Sequence, residues 1–311
     1  MTKEPHPLQP ALDRATKASY TVIDLIDIAR ERKPSGTGRE GRTDAKQVSL
    51  YKAAIAASVA AIEETFEALV ESGLAAFGTP QPALNRIAIA IGRQLQSPNP
   101  DNLKQLLQDY LGFDPSGEWN AYLAHSPATH RTVKLKDATL NYRQIHTTYS
   151  RFRCFQGTEV ERVLARFVKV RNSFAHQDTS TAIFTKSEQA LLRRLKDRKA
   201  KPGDEERDVE SISATCAVTL NSDAGKTDDP VHHWTVHETH AVNALLLFIG
   251  LVASTASSLS DYMEDNGVSG RSFEPLALRV QDGRWQYWNR GHSFSQSNID
   301  FELTRYRPKQ R

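Results

Sequence analysis

The chain has 311 residues, 39% of them hydrophobic and 25% charged, with 40 basic against 37 acidic side chains and a formal charge of +3. That length corresponds to about two average domains, or one large domain with additions, and is enough to bury a real core. The charge balance excludes a protein whose whole surface is cationic, in the manner of a histone, but leaves room for a local basic groove.

The first ten residues, Met1 to Pro10, are polar and contain no apolar core, so no signal peptide is expected. Ala11 to Arg32 reads as a helix, with Tyr20, Ile23, Ile26 and Ile28 among its apolar positions. A loop with Pro34, Gly36, Gly38 and Gly41 follows. Lys46 to Ser72 then reads as a long helix whose stripe is Val48, Tyr51, Ile55, Val59, Ile62, Phe66 and Leu69, at spacings of three and four. Seven alanines between Ala53 and Ala68 would let another helix approach closely. Leu84 to Leu95 and Asn102 to Leu111 are shorter helix candidates, separated by Pro80, Pro82, Pro98 and Pro100. Pro115 to Ser150 has no clean period, although it holds His125, His130 and His146.

Thr158 to Ala175 is the next helix, with a capping-box start at Thr158-x-x-Glu161. Its stripe is Val160, Leu164, Phe167, Arg171 and Phe174, and the arginine is out of place there. Lys186 to Lys199 looks helical, and Lys196 to Glu210 is a charged linker. Ile212, Ala214, Cys216, Val218 and Leu220 alternate, which predicts a strand pairing with Val231 to Val236 as an inserted β-hairpin. Ala241 to Ser260 is a run of twenty residues without a charge. Its second half is rich in Ser and Thr, so it is expected to be a buried core helix, within about His237 to Met263, and not a membrane span. In the Trp-rich tail, Leu276, Leu278 and Val280 alternate, and Asp282-Gly283 predicts a tight turn returning through Trp285 to Trp288.

The expected architecture is therefore mainly α, a helical bundle with an inserted β-hairpin and a small C-terminal β-hairpin. Its parts are an N-terminal helix and linker (1–45), a helical domain (46–264, with the insertion at about 196–236) and a C-terminal extension (265–311).

Several large enzyme classes lack their motifs here. The phosphate-loop pattern, the dinucleotide fingerprint, the GxSxG elbow and HExxH are all absent. The two cysteines, Cys154 and Cys216, form no CxxC pair, which excludes a cysteine-based zinc site and fits a reducing cytoplasm. His232, His233, His237 and His240 cluster, and His233, His237 and His240 could share one helical face with Glu238 nearby. A polar first turn beside a strand end explains the same residues, and neither metal nor cofactor is expected. The basic side chains are 25 Arg and 15 Lys. Arginine suits bidentate phosphate sites, though the ratio also fits a GC-rich genome.

The remaining site is Arg171-Asn172-Ser173-Phe174-Ala175-His176, which closes an amphipathic helix. It is the only Arg-x(4–6)-His pair in the chain. Read from residues alone, it fits either of two pictures. Arg171 can be a snorkelling arginine and His176 a cation complementing the helix dipole. Alternatively, a guanidinium for a phosphorane and an imidazole for proton transfer are what metal-free RNA cleavage needs. Five positions around a helix is about 140°, so one arginine and its own histidine would diverge. Two copies across a two-fold axis would bring both pairs together. Asn172 would orient the histidine or hold phosphate. Glu63 lies on the edge of the stripe shared by Val59, Phe66 and Val70. It is either partly buried and paired with Arg171, or solvated beside Glu64 and Glu67.

This motif resembles the signature of the HEPN superfamily, matched here by Arg171, Asn172, Ala175 and His176. The Ala-rich helix with Ala60-Ala61-Ile62-Glu63 is similar to the early bundle helix of the larger, RiboL-PSP type members. The resemblance covers about Lys46 to Glu264. It implies a HEPN-like helical bundle that homodimerises with the motifs facing each other, and a metal-independent endoribonuclease acting through the 2′-hydroxyl. The implied catalytic residues are Arg171, His176, Asn172 and Glu63. It further implies a toxin or phage-defence role, RNA as substrate and an antitoxin or regulatory partner protein. The competing expectation is a non-catalytic helical module binding RNA, nucleotide or a partner protein.

Overall fold

The computed structural model describes residues 4–31, 45–95, 97–124, 152–175, 184–196, 211–220, 231–268, 273, 276–280 and 299–302. Eight helices dominate them: α1 (Gln9–Glu31), α2 (Ala45–Ala76), α3 (Gln81–Gln94), α4 (Pro100–Leu111), α5 (Thr158–Ala175), α6 (Lys186–Lys196), the short α7 (211–215) and α8 (Glu238–Asp265). Six short strands form three antiparallel pairs. β1 (Asn120–Ala124) pairs with β2 (Phe152–Gln156), β3 (Ala217–Leu220) with β4 (Val231–Thr235), and β5 (Ala277–Val280) with β6 (Ile299–Glu302). His125, His130, His146, His176, the 197–210 linker and the segment around Trp285 and Trp288 lie outside the described residues.

α2 is the hub. Its stripe from Tyr51 through Ile55, Val59, Ile62 and Phe66 to Leu69 is buried, as the three- and four-residue spacing predicts. α1, α3, α4, α5 and α8 all pack against it. α8 is buried around most of its circumference from His240 to Ser260, with Leu246, Ser257 and Ser258 partly buried. It alone among the described helices is long and apolar enough to cross a membrane, and 83% of its apolar window is enclosed by the protein. One contiguous core runs from Leu8 to Leu276. The ends of α4 follow local rules: Asn99 accepts the Asn102 amide at 2.8 Å, Pro100 opens the first turn, and Gly112 closes the helix at φ 68°.

Two expectations change, and two strand pairs are added. Ile212 to Cys216 does not continue the strand: 211–215 is helical, and Ser211, Ile212, Ala214, Thr215 and Cys216 are all buried. The Thr215 hydroxyl donates to the Ser211 and Ile212 carbonyls, the local side-chain-to-backbone bond that a Thr makes within a helical turn and not within a strand. β5 pairs with Ile299–Glu302, while the expected turn at Asp282-Gly283 and return through Trp285 to Trp288 lie outside the described residues. That pairing sets Leu278 opposite Phe301 and Val280 opposite Ile299, apolar matches that a turn signal cannot see. The Glu161 carboxylate accepts Lys104 at 3.1 Å, so this side chain reaches across to α4. β1 arises within the stretch from Pro115 to Ser150 that shows no clean period, and it pairs with β2 just beyond it, with Ala121 opposite Phe155.

β1 lies against α8 at Gly250. A Cβ added there would sit 2.6 Å from the Asn120 carbonyl oxygen and 2.8 Å from Ala121 Cα. The strand backbone thus rests directly on the helix, and Trp119 Nε1 donates to Thr255 Oγ1 at 3.0 Å beside it. Trp119 is fully buried and meets Phe66 edge-on. Gly250→Ala is expected to destabilise the protein by about 1–3 kcal/mol through overpacking against backbone that cannot move aside. Chemical denaturation of the two proteins measures it.

Two buried histidines close the bundle. His6 Nδ1 accepts the Leu8 amide at 3.1 Å, so the neutral ring carries its proton on Nε2 and donates to Ser260 Oγ at 3.0 Å. The same ring meets Phe273 edge-on at 5.5 Å, next to a β-bridge between Glu4 and Phe273. His240 Nδ1 accepts the His237 amide at 2.8 Å. Burial lowers the pKa of His6 to about 4. Burial, and secondarily the neighbouring His237, lowers that of His240 to about 3 despite a bond to the Ser213 backbone. Both pKa values lie below the unfolded value of about 6.5, so between these limits the unfolded chain binds more protons. Stability is therefore full above about pH 6.5 and falls on acidification, each ring contributing a slope of up to about 1.4 kcal/mol per pH unit. Denaturation midpoints between pH 7 and 4 should show this loss, and His240→Gln should reduce its steepness.

Candidate functional site

α5 carries the motif that the sequence singles out. Val160, Val163, Leu164 and Phe167 are fully buried against the core, and the helix packs on α2 and α4. The stripe leaves the core at its C-terminal end: Arg171 and Asn172 are half-buried, and Phe174 is 37% exposed. α5 ends at Ala175, directly before His176, whose position lies outside the described residues.

The structure brings three of the four expected residues to one region. Arg171 Nη1 donates to Asn172 Oδ1 at 3.1 Å, so the asparagine orients the guanidinium. Glu63, half-buried on α2, has its carboxyl pKa raised by burial, and the Arg171 charge opposes that rise. Arg171 therefore faces the α2 side of the bundle, close enough to act on Glu63 electrostatically. Glu67 one turn on is raised as well, by burial and by Glu63, Glu71 and Glu64. This end of α2 is an acidic row that favours a nearby cation.

The histidine cluster resolves differently. His237 is the residue preceding α8, and its amide is satisfied by the ring of His240, while the His232 and His233 side chains lie outside the described residues. Burial lowers the His237 pKa too. These two rings act as a helix start. Among the described residues no group of three or more His, Cys, Asp or Glu is placed to hold a metal ion. Cys216 is free and buried, and burial pushes its thiol pKa up, so it is no nucleophile at neutral pH.

Sequence reasoning passed over Arg166. It is 5% exposed, donates to Glu188 Oε1 at 2.7 Å and stacks over the Phe184 ring at 5.3 Å from its centroid. The signal available was Arg162, Arg166 and Lys169 at i, i+4 and i+7 on one helix face.

No protein-family model, no curated protein and no solved structure matches the chain.

Glu63 offers a direct check of the α2–α5 arrangement. Arg171 is the charge that holds the Glu63 carboxyl down against burial, so in Arg171→Ala that carboxyl should titrate at still higher pH. Carbon-detected NMR of the glutamate carboxyls measures this. An unchanged Glu63 titration would contradict the proximity of the two groups.

Proposed function

We propose that the protein is a metal-independent endoribonuclease of HEPN type that cleaves RNA at a site shared by two copies of the chain, in a toxin or phage-defence role. The observation that carries this reading is the end of α5. A half-buried arginine is oriented there by its neighbour Asn172 and lies near enough to Glu63 to oppose the burial-raised pKa of its carboxyl, and His176 follows directly after the last described residue of the helix.

The chemistry follows from these groups. An imidazole near neutral pKa accepts the 2′-hydroxyl proton, and the 2′-oxygen attacks the adjacent phosphorus. The bond to the 5′-oxygen breaks, and the second copy's imidazole returns a proton to that leaving oxygen. The products are a 2′,3′-cyclic phosphate and a 5′-hydroxyl. Arg171 pairs with the non-bridging oxygens as charge develops on them. Glu63 holds the guanidinium between substrate encounters and limits repulsion between two arginines across the two-fold axis.

A non-catalytic module binding RNA or a partner protein is the second reading. It is favoured by the same contacts seen from the other side, since Arg171 already has protein neighbours in Asn172 and Glu63.

Cleavage of labelled RNA separates the two. Arg171→Ala and His176→Ala are each expected to lose at least a hundredfold in rate while retaining the helical circular dichroism spectrum. Cleavage by the wild type should persist in EDTA and leave 2′,3′-cyclic ends. Full activity in either variant, or 5′-phosphate products, would sink the catalytic reading.

A further inference from the structure

One ring joins the segment before α1 to the segment before β5. His6 is buried, its Nδ1 accepts the Leu8 amide, and its Nε2 donates to Ser260 on α8. Its edge meets the Phe273 ring, and Glu4, two residues earlier, forms a parallel β-bridge with the same Phe273. The segment then runs directly into the helix. The Gln9 amide donates to the His6 carbonyl at 2.9 Å, and the Leu8 carbonyl accepts the Ala11 and Leu12 amides.

The sequence makes this segment stiff. Pro5 and Pro7 flank His6, so two φ angles are fixed and two amides are missing. The residue before a proline is held extended, which applies to Glu4 and to His6 itself. Such a segment moves as a body and does not fray one residue at a time. The strands it reaches have little support of their own. β5 and β6 are four residues each and pair only with one another among the described residues. A lone two-stranded pair is marginal in water, so this one depends on its seat against α1. Leu276, directly before β5, is fully buried in the same core as Leu8.

We infer that residues 4–8 are a strap that fastens β5 and β6 to the bundle, and that strap and strand pair leave it together as one unit. The contacts are shared, so freeing His6 removes the ring partner of Phe273, and freeing Phe273 removes both that ring contact and the bridge to Glu4. The helices do not need the unit in order to stay packed: α1 lies along α2, and α8 is held by α2 and β1. By linkage, displacing one end favours displacement of the other by the same factor. The device uses neither Arg171 nor His176 and is independent of the RNA-cleaving reading.

Hydrogen exchange of the full chain tests this. In the wild type the amides of Leu8, β5 and β6 should exchange at one common rate, faster than those of 241–256 in α8. His6→Asn places a side-chain oxygen where Nδ1 accepts the Leu8 amide, but is too short for Ser260 and has no ring for Phe273. It keeps the start of α1 and cuts the strap. Exchange of β5 and β6 should rise by about tenfold or more in this variant, with α8 still the slower. Phe273→Ala should speed exchange of the Leu8 amide by a similar factor, and the double variant should be little faster than either single one. Unchanged exchange of β5 in His6→Asn, unchanged exchange of Leu8 in Phe273→Ala, or β5 exchanging no faster than α8 in the wild type would overturn the inference.

Discussion

A helix that is buried on nearly all sides has to be enclosed by its own protein, and α8 imposes that requirement on everything else. Its buried residues run from His240 to Ser260 around most of the helix, with Asn243, Ser254 and Thr255 buried among the apolar ones. Walls must therefore come from several directions, and α1, α2, α5 and β1 supply them. Where a helix would be too thick, a strand serves: the β1 backbone rests on Gly250, and Trp119 and Ser254 supply hydrogen bonds at the seam. α2 satisfies α8 on one side and α5 on another. The site inherits its geometry from this arrangement, because the α2 face that carries Glu63 is fixed by the burial of Ile62 and Phe66 beside it.

What could be read from the sequence was whatever depends on neighbours three or four residues away. The α2 stripe, the span of α5 and the enclosed character of α8 are all of that kind, and so is the mainly helical class. The strand that was expected from Ile212 to Leu220 failed because an alternation of small residues suits a helical turn equally well once Thr215 bonds back to Ser211. The partner of β5 was illegible because pairing of Val280 with Ile299 joins residues that no local turn connects.

The candidate site divides in the same way. Arg171 was visible as a charge in an apolar stripe, and Asn172 and Glu63 as its possible neighbours. Arg166 was not, since an arginine flanked by Arg162 and Lys169 reads as part of a solvated face. Only the arrival of Phe184 and Glu188 from a later segment buries it. α5 thus holds two guanidinium groups about 140° apart around the helix, one paired with Glu188 of α6 and the other near enough to Glu63 of α2 to act on its charge.

The link between His6 and Ser260 joins residues 254 apart in the chain. During synthesis α1 and α2 can pair as soon as both have emerged, since they are adjacent and form an extensive contact. The segment before α1 has to wait for α8, and its bridge to Phe273 for the residues beyond it. Closing so long a loop is slow relative to local helix formation. The contact between α1 and α2 is local in the chain, whereas the contacts of His6 with Ser260 and of Glu4 with Phe273 close over more than 250 residues. Before α8 joins, the faces of α1 and α2 that pack on it have no apolar partner from that helix, and exposed apolar surface of this kind favours association of incompletely folded chains.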